Sequence, residues 1–178
     1  MPVPTASYQI HAKGFWSPVI HISGPDGDVG VLKVSRNRWG MVVSAAYTPE
    51  KGEKLEIRRD PGILRSQFSL WSEGREWLGA SLRWSFIGRE VDLSTGTRPM
   101  RLIPLPGFCA GWALHAPKTG QMAQVRLGKE GKIDVFRRMD FEVVIFSLFL
   151  SHLTRVESWW PEPLIEDIHD TQTRTTTA

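Results

Sequence analysis

The residues best able to attack a substrate or hold a metal are few and dispersed: His11, His21, His115, His152, His169 and Cys109. A metal-binding helix face needs ligands one turn apart, and no histidine has a second ligand type at i, i+4. The chain contains no G-x-S-x-G, no H-E-x-x-H and no G-x-x-x-x-G-K-[ST]. The run GPDGDVG spaces its glycines by three and reads as a hairpin turn, not a phosphate cradle. His11 and His21 fall in strand-like runs as packed or exposed strand residues. His152 falls late in an apolar stretch, where it can cap carbonyls or seal a mouth of the fold. A single cysteine excludes an internal disulfide and a cysteine-based zinc site, and Cys109 reads as a small buried hydrophobe. A dispersed Ser/His/Asp arrangement stays open, because a triad is recognised by geometry and not by order. The expectation is no catalytic residue, no metal and no cofactor.

The scaffold that carries these residues is one domain. The chain has 178 residues, 41% of them hydrophobic and 23% charged, with 16 Gly, 12 Pro and 8 Trp. That is ordinary for a globular domain and rich in turns. Charge is uneven. Residues 1–156 carry 21 Lys/Arg against 14 Asp/Glu, while residues 157–178 carry five acids and one arginine. A basic body favours anionic partners. The opening run MPVPTASYQIHAKGF lacks the apolar core and early basic cluster of a signal peptide, so a cytoplasmic location is expected. The final run DTQTRTTTA is polar and of low complexity, and residues 164–178 are expected to form a flexible acidic and polar tail.

Up to Arg137 the apolar residues alternate, the mark of half-buried strands. Leu55 and Ile57 oppose Glu56 and Arg58. Leu78, Ala80, Leu82, Trp84 and Phe86 share one face, as do Phe108, Ala110, Trp112 and Leu114. Glycine-bearing turns such as TPEKGE, SEGRE, STGTRP and GKEGK separate the runs, giving about twelve short strands. Trp71 and Trp77 fall out of phase with the apolar faces of their strands, which suits packing under loops, stacking on a partner or contact with a membrane interface.

The stretch RRMDFEVVIFSLFLSHLTRVESWWPEP breaks the pattern. Asp140 suits an N-cap, Met139 and Val144 occupy the positions of a hydrophobic staple, and Pro161 stops continuation. The spacing predicts a helix over about 141–156 whose apolar side chains point in every direction. Such a helix must be buried all round or lie in lipid. Val143 to Leu153 is eleven residues, roughly 16 Å at 1.5 Å per residue, whereas a span needs about 20 residues. No transmembrane segment is therefore expected, and the protein must wrap the helix itself. A barrel larger than eight strands has room for a helix on its axis and leaves no sheet edge exposed. The expected fold is mostly β: a closed barrel of about twelve strands around a buried C-terminal hydrophobic helix, one domain over 1–163. A two-layer sandwich would need a polar helical stripe, and Ser147, Ser151 and His152 make only a weak one. Trp159 and Trp160 in SWWPEP are placed to plug the barrel end.

Three stretches resemble the tubby-like superfamily, which includes tubby C-terminal domains, LURP-one-related proteins and phospholipid scramblases. GKIDVFRRMDFEVVIFSLFLSHL resembles the family's closing strand and helix. GTRPMRLIPLPGF is similar to its Gly-Pro-Arg-Lys-Met segment, and GVLKVSRNRWGMVVS to the strand pair around Lys-Leu-Arg-Ser-Asn. The chain is shorter than a tubby domain and lacks the Lys-rich loop ahead of the first matching strand. The resemblance implies a twelve-stranded barrel around a central helix. It also implies a non-enzymatic binding or tethering module for anionic phospholipid or phosphoinositide headgroups, peripheral at a membrane. The matching basic positions are Lys33, Arg36 and Arg98, where convergent donors would meet phosphates. The alternatives are a carrier or enzyme with a small apolar-ligand cavity at the barrel mouth, and a scramblase-like protein, which the short helix and missing calcium-loop pattern disfavour. No RNP-type motif or recognition helix points to a specific nucleic acid.

Overall fold

The computed structural model describes residues 3–14, 17–60, 67–84, 89–94, 99–105, 111–128 and 131–157, with residues 81–84, 89, 156 and 157 described by their backbone alone. Alternation resolves into twelve strands: β1 (Ala6–Lys13), β2 (Val19–Gly24), β3 (Gly27–Arg36), β4 (Val42–Pro49), β5 (Leu55–Arg59), β6 (Gln67–Ser72), β7 (Arg75–Trp84), β8 (Arg89–Ser94), β9 (Pro99–Pro104), β10 (Gly111–Ala116), β11 (Gly120–Arg126) and β12 (Gly131–Val135). Each pairs antiparallel with its neighbours in sequence, and β1 pairs with β12, Ala6 opposite Val135 and Ile10 opposite Gly131, so the sheet is a closed barrel. The one helix among the described residues, α1 (Phe141–Glu157), ends one residue beyond its expected limit.

The helix runs inside the barrel. It contacts β4 on one side and β10 and β11 on the other. In the circular strand order β4 and β10 lie six steps apart in either direction, so these are opposite walls. Ile145, Phe146, Leu148, Phe149, Leu150 and Leu153 have no exposed surface. The inward residues of the strands meet them: Phe68 of β6 packs edge-on against Phe149 at 5.3 Å between centroids. Phe141 sits between Tyr8 of β1 at 5.6 Å and Tyr47 of β4 at 5.9 Å. The expected staple pair, Met139 and Val144, lines one recess beside Phe141. The carbonyl of Asp140 closes the first helical turn by accepting from the Val143 amide at 3.1 Å.

Two of the three polar residues that a sandwich would have turned to solvent, Ser147 and Ser151, are buried and satisfied within the helix, and so is Thr154. Ser147 donates to the Val143 carbonyl at 2.7 Å, Ser151 to the Ser147 carbonyl at 2.7 Å and Thr154 to the Leu150 carbonyl at 2.9 Å. Back-bonding of this kind lets a hydroxyl enter an apolar core without a partner from outside. The seam between first and last strand is held from outside the barrel. Asp134 of β12 accepts from Ser7 of β1, from Arg126 of β11 at 2.9 Å and from Lys132 at 2.8 Å. Burial alone would raise the Asp134 carboxyl, but the bonds from Lys132, Ser7 and Arg126 outweigh it and hold the group below its ordinary value.

An up-and-down barrel has two mouths. At the near mouth β12 ends, β1 begins and α1 enters. At the far mouth, which carries the β1–β2, β3–β4 and β5–β6 connections, α1 comes out. Among the described residues no helix is long and apolar enough to cross a membrane. Leu78, Ala80, Trp112 and Leu114 are buried as the alternation requires. Phe86, Phe108, Cys109, Ala110, Trp159, Trp160 and the tail over 164–178 lie outside the described residues, and so does the remainder of the expected 1–163 domain beyond 157. Truncating Phe149, which fills the axis against Phe68, is expected to cost about 3–5 kcal/mol. Urea unfolding of Phe149→Ala checks this, and a loss below about 1 kcal/mol would mean that the axis is not packed as described.

Candidate functional site

The near mouth holds two shallow recesses either side of Phe141. One of about 300 Å³ is lined by Thr5, Tyr8, Arg138, Met139 and Val144. The other, of about 380 Å³, is lined by Tyr47, Lys51, Glu53, Ser72 and Glu142. Its rim is acidic. The exposed carboxyl of Glu73 is raised by a hydrogen bond with Glu53 and by that group's charge, and Ser72 donates to Glu53 at 3.1 Å. The side chains of α1 fill the axis behind the two recesses.

The far mouth is basic and carries an exposed apolar tip. The connection from β3 to β4 is a tight turn in which the Gly40 amide donates to the Asn37 carbonyl at 3.0 Å, with Gly40 at φ 82°. A positive φ of this size is cheap only for glycine. The Asn37 side-chain oxygen accepts from the amides of Trp39 and Met41, each at 3.0 Å, and the Asn37 amide donates to the Met41 carbonyl at 2.9 Å. Four hydrogen bonds thus hold the tip while Trp39 stays 62% and Met41 42% exposed. The Arg38 guanidinium lies 4.9 Å above the Trp39 ring. Val43, just behind on β4, is also exposed.

Around this tip the mouth is lined in sequence by Arg36, Val42, Arg59 and Phe68. Arg36 pairs with Val42 across a bulge that follows Ser35, Arg59 donates to the Val42 carbonyl at 3.1 Å, and its guanidinium lies 5.1 Å from the Phe68 ring. Phe68 meets Phe149, and His152 follows one turn later on α1. Burial first, then the charges of Arg36 and Arg155, lower the His152 imidazole to about 4, so it is neutral at pH 7. The Arg36 Nε and the His152 Nε2 are both buried without a hydrogen-bond partner.

Of the three basic positions implied by the resemblance, Lys33 and Arg36 lie on opposite faces of β3. Lys33 is exposed on β3 between buried Leu32 and Val34, so it faces outward. Arg36, half-buried and opposite buried Val42, lies on the inward side of the same strand. Residues three apart on a strand point to opposite faces. Arg98 lies outside the described residues. Its flanking residues Ser94 and Pro99 pair at the near mouth, and β9 stands six strands from β3 in either direction. Trp39, Met41 and Arg38 escaped sequence reasoning, although NRWG between two strands carries the signal of a four-residue turn that must project its central pair.

The remaining candidates are structural. His11 and His21 face each other across β1 and β2, both exposed. Trp71 is half-buried, donates to the Ser69 hydroxyl at 2.8 Å and lies under Arg58 at 5.4 Å, whereas Trp77 is 57% exposed. Among the described residues no three His, Cys, Asp or Glu side chains cluster as a metal site. The chain matches no family model, no curated protein and no solved structure.

The depressed imidazole gives a directional pH effect. The unfolded chain takes up a proton at His152 near its ordinary value of 6.5, and the folded chain only near 4. Stability is therefore complete above about pH 6.5 and falls as pH drops towards 4, by about 3 kcal/mol in all. Asp134, held low, acts in a lower range. Urea unfolding from pH 7 to 4 is expected to show this slope in the native chain and to lose most of it in His152→Asn.

Proposed function

We propose that the chain is a non-enzymatic binding module of the tubby-like type, which docks peripherally on anionic lipid headgroups through its far mouth. The observation that carries this is the held hairpin tip: exposed Trp39 and Met41, with Arg38 stacked on the indole and Arg36 behind. Tryptophan is favoured where one side is apolar and the other wet, and each basic residue near an anionic leaflet adds about 1 kcal/mol. Exposed Lys33 extends the basic surface along the outside of β3.

The spread of these groups favours a charged surface over one enclosed headgroup. With Lys33 outward and Arg36 inward, no described pocket gathers the donors that a multiply phosphorylated inositol would need. A surface contact would read charge density and interfacial depth, and the cytoplasmic leaflet supplies both. A scramblase-like role would require α1 to leave the barrel, which its all-round burial opposes.

Sedimentation with phosphatidylcholine vesicles, with and without phosphatidylserine, tests the reading. The chain is expected to pellet with anionic vesicles at low salt and to be released by high salt. Trp39→Ala with Met41→Ala is expected to weaken partitioning about tenfold or more, from the apolar surface no longer buried in the interface. Equal partitioning onto neutral and anionic vesicles, or no effect of the double substitution, would overturn it.

A further inference from the structure

We propose that the far mouth contains a carboxylate-binding site built on Arg36 and Arg38, and that its occupant is the acidic segment of this chain that follows α1. The docking itself stands on the charges and unpartnered atoms of the mouth. Its consequence, competition with lipid, rests on the reading above.

The Arg36 Nε can only donate, and it is buried with no acceptor beside an imidazole whose Nε2 also has none. A carboxylate is the acceptor that answers a guanidinium best, in charge and in geometry. The described connections of this mouth offer few carboxylates. Asp60 is already bonded, accepting from the Ser69 hydroxyl at 2.7 Å. Arg36 and Arg38 stand at this rim, the latter over the Trp39 ring.

The chain supplies what the mouth lacks. Past Glu157 the sequence reads SWWPEPLIEDIHD, with Glu162, Glu166, Asp167 and Asp170 against the single Arg174 downstream. Glu162 is five residues beyond the last helical residue, within about 17 Å along an extended chain. Tethering sets the local concentration of such a segment in the millimolar range, so weak contacts suffice. In the docked segment Trp159, Trp160, Leu164 and Ile165 would supply apolar surface to match exposed Trp39 and Met41. The carboxylates would then screen the arginines, and the aromatic residues would cover the tip, that a lipid surface would otherwise meet.

The test uses the full chain with E162Q, E166Q, D167N and D170N combined. A charge-matched control carries D26N, D28N, E50Q and E76Q, all exposed on near-mouth segments. Amide hydrogen exchange over Asn37–Met41 reads the docking directly. Exchange several-fold faster in the tail variant than in the native chain and the control supports the site. Unchanged exchange overturns it, and an effect that grows with protein concentration overturns the intramolecular occupant in favour of a second copy. Sedimentation with phosphatidylserine vesicles reads the competition. Apparent affinity is expected to rise roughly fivefold for each arginine released, beyond any rise in the control. Faster exchange with no vesicle binding by any form leaves the carboxylate site standing and removes the lipid reading. Vesicle binding with unchanged exchange removes the site and leaves the lipid reading.

Discussion

A helix with apolar side chains around its whole circumference admits one arrangement in water: something must surround it. The core of this protein is the solution to that constraint. A sheet lying on one side would leave half of α1 wet. Twelve strands in sequence order, closing β1 on β12, enclose it from β4 through β10 with no exposed sheet edge. Phe68, Phe146 and Phe149 then act as spacers between wall and axis, and the dense interior follows from the need to match the two. The hydroxyls of Ser147, Ser151 and Thr154 fit this interior because each is satisfied by the helix that bears it.

A filled axis moves any function to the rims. The two mouths differ in chemistry: the near one mixes Glu53, Glu73 and Glu142 with Lys51 and Arg138 around aromatic recesses, whereas the far one gathers arginines around an exposed indole. The polarity has a local origin in which connections bear which charges. Among the described residues three buried nitrogens are left without partners, on Arg36, Trp112 and His152, and they lie towards far-mouth strand ends and the last turns of α1. Unsatisfied polar atoms are rare in the interior and informative where they remain.

Fold and site were unequally legible in the sequence. Period-two alternation, glycine turns, all-round hydrophobicity and helix length are local properties, and they led to the barrel and to the helix limits within one residue. The site depends on parity and on counting. Lys33 and Arg36 are three residues apart, so strand geometry alone separates them, but the family resemblance drew them together. The paired ends of β8 and β9, Ser94 and Pro99, lie at the mouth opposite the β3–β4 turn, a fact available only once every intervening strand is counted correctly. Exposure of Trp39 depended on where β3 stops, and the bulge after Ser35 and the bonds of Asn37 determine that.

The antiparallel seam between the first and last strands has a kinetic corollary. Ala6 and Val135, its closing pair, are separated by almost the whole domain, and the helix that the sheet must enclose is translated after all twelve strands. Until α1 arrives, a nascent sheet presents an apolar concave face and two unpaired edges. Long-range pairings of this kind fold slowly and expose aggregation-prone intermediates. Because α1 follows all twelve strands in the chain, the sheet is complete before the side chains that fill it emerge from the ribosome.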